Sequence, residues 1–395
     1  MTHEKVFLCI PFLKVMSGKL FLFKSTFMKR FRYLLRWFHR LSGMLIAIPF
    51  AVICITGAFL AFEPQLLRQI HPELYYLSRP YSAYGVSISD VSKKVECQLP
   101  AGMTLGALQI GQADEAWIYE ISRMRKAELF VDPSSGKVLG MIDHDAGGFY
   151  QLRKLHRWLG DTLNRESDAP CIGRIVVGIF TGWSVLVILS GFYLWFPRSR
   201  KSWSLRFRWP GWLSAGYAPE YQRHTLMGVW CGVPIIALAL TGLTWSFPAY
   251  RDGFFALWGA DYSQRKIKSA ETDTTDCRYL WDQAWSSVRQ EHSSLKKVHF
   301  EETVVEVISS SSFPGITVTD RYLLSSASRG LNSFPQGAQR AHNARAGIVL
   351  VHEGLWMGMF SQFLTFLWAL SGAYLSWSGV RLWKFRRLQK KQYVG

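Results

Sequence analysis

The amino-acid sequence predicts an α-helical integral membrane protein with four transmembrane helices. These helices are expected to form two duplicated two-span halves that carry two small periplasmic α+β modules. Three observations support this fold class: four long apolar runs, basic clusters that fall on one side of them, and a motif that recurs in every run. With 395 residues, the chain is long enough to contain all of these parts.

Four uncharged runs are each long enough to cross a bilayer. A helix rises about 1.5 Å per residue, so about 20 apolar residues span a hydrocarbon core of roughly 30 Å. The runs cover residues 41–62, 175–196, 225–250 and 354–380. Tryptophans close to their ends, such as Trp37, Trp195 and Trp377, are typical of the aromatic belt at a membrane interface. We therefore predict four spans and a lipid bilayer as the surrounding medium.

The net charge of +18 is explained by topology. Lysines and arginines cluster before the first run, between the second and third, and after the fourth, and a four-span chain places all three clusters on one side. The positive-inside rule then predicts that both termini are cytoplasmic. No nucleic-acid-binding motif is visible, so nucleic acid is not expected as a partner.

The predicted order is a basic segment (1–37), span one (38–63), module one (64–171), span two (172–197), a basic loop (198–223), span three (224–248), module two (249–351), span four (352–380) and a basic tail (381–395).

The extreme N-terminus allows two interpretations. Residues 6–23 are apolar, but Pro11 and Lys14 interrupt them, which favours an interfacial helix over a fifth span. Alternatively, Met28 is the true start of the protein.

Both loops between paired spans contain signals for strands. In the first loop, 116–122, 128–132 and 137–141 are predicted strands, and Asp132-Pro-Ser-Ser-Gly136 provides the turn before the last of them. The second loop has weaker signals, with strands at 304–309 and 316–319 and a helix at 279–291.

A two-part motif recurs in each of the four units. A histidine opens each unit and is followed after a short interval by glycine, in His39–Gly43, His156–Gly160, His224–Gly228 and His352–Gly358. A Ser/Thr-Gly pair stands near the end of each span, at Thr56-Gly57, Ser190-Gly191, Thr241-Gly242 and Ser371-Gly372. A duplicated two-span unit would produce this repetition, whereas an ordinary apolar run would not.

Histidine at a membrane boundary points to a metal or a haem. It is the commonest metal ligand and is costly to bury, so four equivalent histidines suggest a shared use. In three units the glycine follows at i+4, on the same helix face, where it leaves room for a flat macrocycle beside the imidazole. The alternative for the glycines is tight helix packing, and the alternative for the histidines is an interfacial or hydrogen-bonding role.

Topology pairs the histidines. His39 and His224 open spans one and three near the cytoplasmic face, and His156 and His352 open spans two and four near the outer face. Each pair could axially ligate one b-type haem, which gives two haems b per chain. The Ser/Thr-Gly pairs of spans one and three are expected at the level of the outer haem, and those of spans two and four at the level of the inner one. Neighbouring cations could hold the propionates, namely Arg40, Arg157 and Arg223.

Other residues leave alternatives open. His156 lies furthest from its span, and His144 or His342 could replace a ligand or hold an iron substrate, or be ordinary loop residues. Glu63 could gate protons or bind a metal, or simply cap a helix end. Six cysteines include no Cys-x-x-Cys pair, which argues against covalent c-type haem and gives no support for a thiolate metal site.

These residues resemble the PepSY-associated transmembrane-helix family of iron-regulated inner-membrane proteins. The matching segments are Phe38–Gly43, Leu155–Leu159, Ser190–Pro197, Val351–Gly354 and the turn Val131–Val138. The family includes siderophore-iron reductases with two b haems. The resemblance therefore implies a bacterial inner-membrane location, electron transfer to a periplasmic ferric siderophore, and His39, His156, His224 and His352 as haem iron ligands.

The resulting functional hypothesis is an oxidoreductase that reduces ferric iron in a chelate at the outer face. Hard oxygen donors favour ferric over ferrous iron, so reduction would release the metal. The rivals are a haem-free PepSY-type regulatory or scaffold protein, and a haem subunit that passes electrons to a periplasmic partner enzyme. No nucleotide-binding fingerprint appears, so the electron donor would be external: a quinol, a flavin or a soluble reductase.

Overall fold

The described residues of this computed structural model are 9–82, 85–122, 126–161, 171–196, 203–265, 278–292, 294–311, 316–325 and 330–394. They pack into two compact units. The first, here the arginine-rich unit, comprises Met1–Ala51, Ile179–Ala239 and Ser371–Gly395. The second, here the sheet unit, comprises Val52–Gly178 and Leu240–Leu370.

Four long helices in the described residues confirm the prediction of a multi-pass membrane protein. They are α1 (Cys9–Leu60), α6 (Ile172–Trp195), α8 (Tyr217–Ser246) and α12 (Met359–Val394). The stretches that are long and apolar enough to cross a membrane are Phe27–Leu60, Ile172–Trp195, Tyr217–Ser246 and Met359–Gln389. Lipid can satisfy no backbone polar group, and a helix satisfies its own groups internally.

The helix ends differ from the predicted span boundaries. α1 is continuous from Cys9, so the segment expected as a separate interfacial helix joins the first span. α8 begins at Tyr217, two turns before the predicted start at residue 224. As a result His39 and His224 lie inside long helices and do not open them. The fourth long helix begins at Met359, seven residues after the predicted start of span four at residue 352.

Shorter helices fill the connections between the spans. They are α2 (Glu63–Ile70), α3 (Pro72–Tyr75), α4 (Ile88–Glu96), α5 (Gly147–Trp158), α7 (Trp203–Arg206), α9 (Pro248–Leu257), α10 (Arg278–Glu291) and α11 (Gln336–Glu353). His156 lies on α5 and His352 on α11, so each precedes its span on a separate helix. The predicted helix at 279–291 is α10.

The strands of the two loops form one antiparallel sheet, where the sequence suggested two separate modules. The strands are β1 (Thr104–Ile110), β2 (Trp117–Ser122), β3 (Ala127–Asp132), β4 (Lys137–Asp143), β5 (Leu295–Glu301), β6 (Val304–Ser310), β7 (Thr317–Ser325) and β8 (Gly330–Ser333). Their order is β4-β3-β2-β1-β5-β6-β7-β8. β1 and β5 join the two meanders through the register pairs Leu108↔Phe300, Gln109↔His299 and Ile110↔Val298.

One face of this sheet packs against helices and forms the main apolar core of the sheet unit. Period-two alternation turns residues such as Trp117, Tyr119, Val298 and Phe300 to that face, where they pack against α4 and α10. The two helices are also tied to each other, because Asp282 of α10 accepts hydrogen bonds from the backbone N–H and the hydroxyl of Ser89 at the start of α4. A carboxylate at a helix N-terminus satisfies donors that the helix leaves unpaired.

Candidate functional site

Two of the predicted histidines meet in the arginine-rich unit. The ring centres of His39 (α1) and His224 (α8) lie 6.4 Å apart, with their planes at 80°. Both rings line a cavity of about 950 Å³ among the four long helices. The two residues lie 185 positions apart in sequence, so the packing of the helices brings them together.

The other two histidines meet in the sheet unit. The ring centres of His156 (α5) and His352 (α11) lie 6.2 Å apart, with their planes at 57°. Trp245 of α8 covers His352 at a ring distance of 5.0 Å. The structure thus brings together His39 with His224 and His156 with His352, the same two pairs that topology suggested.

Each histidine is anchored in the same way, through Nδ1, by a hydroxyl on another helix. The Nδ1 of His39 lies 2.9 Å from Ser190 Oγ, and that of His224 lies 2.7 Å from Ser378 Oγ. In the sheet unit, Nδ1 of His156 lies 3.3 Å from Thr56 Oγ1, and Nδ1 of His352 lies 3.1 Å from Thr241 Oγ1. These hydroxyls belong to the Ser/Thr-Gly pairs of the spans.

The hydroxyl contacts indicate which nitrogen carries the proton. The hydroxyls of Ser190, Ser378 and Thr56 donate to carbonyls of their own helices, so their oxygens accept from the imidazole. For His39 and His156, Nδ1 also lies 3.0 Å from Val187 O and 2.9 Å from Ile53 O, and a carbonyl can only accept. For His39, His156 and His224, Nδ1 therefore bears the hydrogen, and the Nε2 lone pair is available to a ligand.

The glycine of each Ser/Thr-Gly pair makes room for the imidazole ring itself. A Cβ atom on Gly57 would lie 2.7 Å from His156 Cε1, and one on Gly242 would lie 3.0 Å from His352 Cε1. At Gly191 the same atom would lie 3.2 Å from His39 Cε1. Any larger residue would press on the ring at these three positions.

The fourth Ser/Thr-Gly pair differs from the prediction. Ser378-Gly379 contacts His224, and Ser371-Gly372, two turns earlier on α12, does not take that place. A Cβ on Gly379 would lie 3.7 Å from His224 Cε1. The sequence contains both Ser-Gly pairs within two turns of α12, and only the packing against α8 selects Ser378 as the partner of His224.

The glycines that follow the histidines have two different roles. Gly43 and Gly228 line the cavity beside His39 and His224, as expected for residues that leave room next to the rings. Gly160 and Gly358 instead adopt φ values of +88° and +59°. Such left-handed conformations favour glycine, so in the sheet unit these glycines serve the turns after α5 and after the short 3₁₀ segment Leu355–Met357.

The spacing within both pairs suits a metal ion between two imidazoles. With metal–nitrogen bonds of about 2.0–2.1 Å, two rings on opposite sides of one ion have their centres roughly 6 Å apart. Two histidines alone make an incomplete ligand set, and among the described residues no group of three or more His, Cys, Asp or Glu side chains could hold an ion. The donor set fits haem, whose macrocycle provides the four remaining nitrogens.

Only one of the three arginines considered for haem propionates faces a histidine pair. Arg40 lines the cavity of the arginine-rich unit. Arg223 is turned away: its guanidinium pairs with the buried Glu220 at 2.9 Å and donates to Gly211 O and Ser214 O. Arg157 stacks on the neighbouring Trp158, with its Cζ 5.3 Å from the ring centre. The better-placed cations are those of the cavity, which include Arg36 and Arg386.

A comparison with protein families identifies the family of the chain. The model of the PepSY-associated TM region matches residues 36–386, which include all four histidines. This chain belongs to that family. A comparison with curated proteins finds no match. The resemblance inferred from the sequence is therefore confirmed.

In this PepSY-associated chain, the two alternative histidines are engaged elsewhere. His144 lies partly buried in the sheet unit between two carboxylates, with Nε2 3.0 Å from Glu128 Oε2 and Nδ1 3.8 Å from Glu63 Oε1. His342 Nε2 donates to Arg265 O at 3.1 Å. Neither joins the paired histidines, so the structure favours ordinary structural roles for both.

Glu63 is held as an anion by its surroundings. It is the first residue of α2, where a negative charge suits the helix dipole. Burial alone would raise the pKa of its carboxyl, but hydrogen bonds with His144 and Arg153 hold that pKa below its ordinary value. A carboxyl that stays ionised at neutral pH is an ion-pair partner, and it is poorly suited to gate protons.

The His144 cluster makes the stability of the protein depend on pH. The hydrogen bonds with Glu128 and then Glu63 raise the pKa of His144 from 6.5 to about 9. A raised pKa means that the native state gains stability from the charged ring below pH 6.5 and loses it as the pH rises towards about 9. We expect the thermal unfolding temperature to fall over this interval, and His144→Gln to weaken that fall.

His71→Gln, at a half-exposed histidine beside Glu73, is the control. An identical pH profile in His144→Gln would contradict the assignment.

Proposed function

We propose that this chain is a membrane-bound b-type haem protein that holds two haems. His39 and His224 would hold one haem through their Nε2 atoms, and His156 and His352 would hold the other. The observation that carries the proposal is the repetition of one arrangement: two histidine pairs, each about 6 Å across, with every Nδ1 anchored by a hydroxyl. Bound haem would supply a reversible one-electron couple at each pair.

The residues of the chain would set the position of the bound group. The hydroxyl and carbonyl contacts at Nδ1 would fix the orientation and tautomer of the rings and leave Nε2 to the bound group. The glycines behind the rings of His39, His156 and His352 keep space for them. Arginines around the His39–His224 cavity supply positive charge for carboxylates. A scaffold protein without haem would not need anchored histidine rings, glycines that leave space for them, or arginines around the cavity.

We further propose that the acceptor is ferric iron in an oxygen-donor chelate such as a siderophore, outside the cytoplasm. Each ferric ion takes one electron and becomes ferrous, and hard oxygen ligands then hold it less well. Family membership supports this class of substrate. Direct reduction of the chelate is the leading possibility, and delivery of electrons to a periplasmic partner enzyme is the alternative.

The orientation and the internal repeat belong to the same proposal. The basic clusters before α1 and after α12 favour a bacterial inner membrane with both termini in the cytoplasm. The symmetric strand order supports two duplicated halves, since each half contributes one helix and four strands on either side of the β1–β5 junction. The halves also match in their histidines, with one on a span and one on the helix before the next span.

The test is a dithionite-reduced minus oxidised absorption spectrum of the purified full-length protein. Quantification as the pyridine haemochrome is expected to give two b haems per chain, with the sharp bands of low-spin, bis-histidine iron. Protein expressed with an adequate haem supply but free of haem would overturn the proposal. The haem-free PepSY scaffold would then be the better account.

A further inference from the structure

The cavity of the arginine-rich unit extends well beyond its histidine pair. Lys29, Arg32, Arg36 and His39 all line it, and their spacing of three and four residues places them on one face of α1. Ten residues of helix correspond to roughly 15 Å. Tyr217, seven residues before His224 on α8, lines the same extension. There is thus room for a ligand beside the group held by the histidines.

The charge of the whole cavity lining is strongly positive. Among the described residues that line the cavity there are six arginines and one lysine but no aspartate or glutamate. The arginines are Arg32, Arg36, Arg40, Arg206, Arg386 and Arg387. The two carboxylates of one haem would balance only two of these charges. Topology explains why cations lie at this end of the spans, but it does not require them to line a cavity.

The walls of the extension are aromatic. Trp195, Tyr221 and Trp383 line it together with the cations. Arg387 lies over the Trp383 ring, with Cζ 4.1 Å from its centre. The guanidinium of Arg386 donates to the Tyr217 hydroxyl from Nε at 2.9 Å and from Nη2 at 2.6 Å. Aromatic faces bind planar rings, and arginine forks bind phosphate.

We propose that this extension binds a planar aromatic ligand that carries a phosphate, of the class of reduced flavin mononucleotide, as the electron donor. The inference rests on the proposed function, because a donor is needed only if the chain transfers electrons. A quinol is neutral and would leave the excess of cations uncompensated. Each dihydroflavin would lose two electrons and two protons and become oxidised flavin. Two ferric ions in chelates would gain one electron each, and the protons would pass to the solvent.

The experiment measures flavin binding to the full-length, haem-loaded protein in phosphatidylcholine nanodiscs. The probe is flavin mononucleotide, whose fluorescence is expected to be quenched in a saturable manner. Riboflavin has the same ring without the phosphate, and we expect it to bind at least about tenfold more weakly, because charge-assisted bonds to phosphate are lost. Equal affinities for the two flavins, or no saturable quenching, would overturn the proposal.

Paired arginine variants locate the site. Arg206→Gln and Arg387→Gln remove cations that line the cavity, and each should weaken flavin mononucleotide binding about three- to tenfold and leave riboflavin binding unchanged. Arg208→Gln is the matched control, because Arg208 is exposed and is not among the residues that line the cavity. Equal effects of all three substitutions would indicate a diffuse charge effect and would contradict the site.

A phospholipid headgroup is the other source of phosphate at this position. The same titration in nanodiscs that contain phosphatidylglycerol separates the two ligands. Retention of that lipid, lost in Arg206→Gln and able to block flavin mononucleotide completely, would identify a lipid site and overturn the flavin assignment. Haem content is quantified in each sample. Two haems without flavin binding would refute only this inference, whereas flavin binding without haem would refute the proposed function together with the donor role and would leave only the binding site.

Discussion

His39→Ala and His224→Ala are expected to remove the same haem, and His156→Ala and His352→Ala the other. Each substitution deletes one of two ligands at a pair whose ring centres are 6.4 Å or 6.2 Å apart. Because the remaining histidine cannot hold a six-coordinate, low-spin iron alone, the haem content should fall from about two per chain to about one. The pyridine haemochrome and the reduced spectrum measure this loss.

The pattern across the four variants is more informative than any one of them. The two members of a pair should leave the same residual spectrum, and members of different pairs should leave complementary spectra. His71→Ala provides the control, since this half-exposed histidine interacts with Glu73 and belongs to neither pair. Identical residual spectra for His39→Ala and His156→Ala would contradict the pairing.

Gly57→Ala is expected to disturb the His156–His352 pair as severely as the loss of a ligand. The added Cβ would lie 2.7 Å from Cε1 of His156, a distance at which the ring must move away from its place against Thr56. Displacement by even a few tenths of an ångström changes the direction of Nε2, the atom through which His156 would hold haem iron. We expect loss of the haem held by this pair, or its conversion to a high-spin form.

Gly182→Ala is the matched control for this substitution. Gly182 lies on α6, a membrane-spanning helix, and a Cβ there would meet no atom within 4 Å. The haem of the His39–His224 pair reports folding in both variants. Retention of two unchanged low-spin haems in Gly57→Ala would show that His156 is not held as the structure indicates.

The sequence predicted the membrane helices and the histidine pairs because each depends on strong local signals. Long uncharged runs define the spans, and a two-residue motif such as Ser190-Gly191 stands out within them. Alternation of the spans across the membrane is enough to match His39 with His224. Where two similar motifs lie close together, as at Ser371 and Ser378, only packing decides which one faces the ring.

The sheet was harder to predict because its central strands have weak signals. β1 contains Gly106, and β5 carries Lys296, Lys297 and His299, so neither shows the run of apolar or β-branched residues that identifies a strand. β1 and β5 pair although two spans lie between them in sequence, and no local sequence pattern predicts such a long-range contact. The turn at Asp132–Gly136 was predicted from its Asp-Pro-Ser-Ser-Gly residues, and in the structure Asp132 accepts from Ser134 N and Gly136 has a φ of +75°.

The β1–β5 junction has a consequence for how the protein is made. A meander ending in β1 exposes a row of unpaired backbone N–H and C=O groups until β5 has been synthesised, and such an open edge is a template for pairing with other chains. Two membrane spans must be inserted in the meantime, because α6 and α8 lie between the two strands in sequence. We therefore expect the nascent chain to carry an open, aggregation-prone sheet edge until β5 has been made.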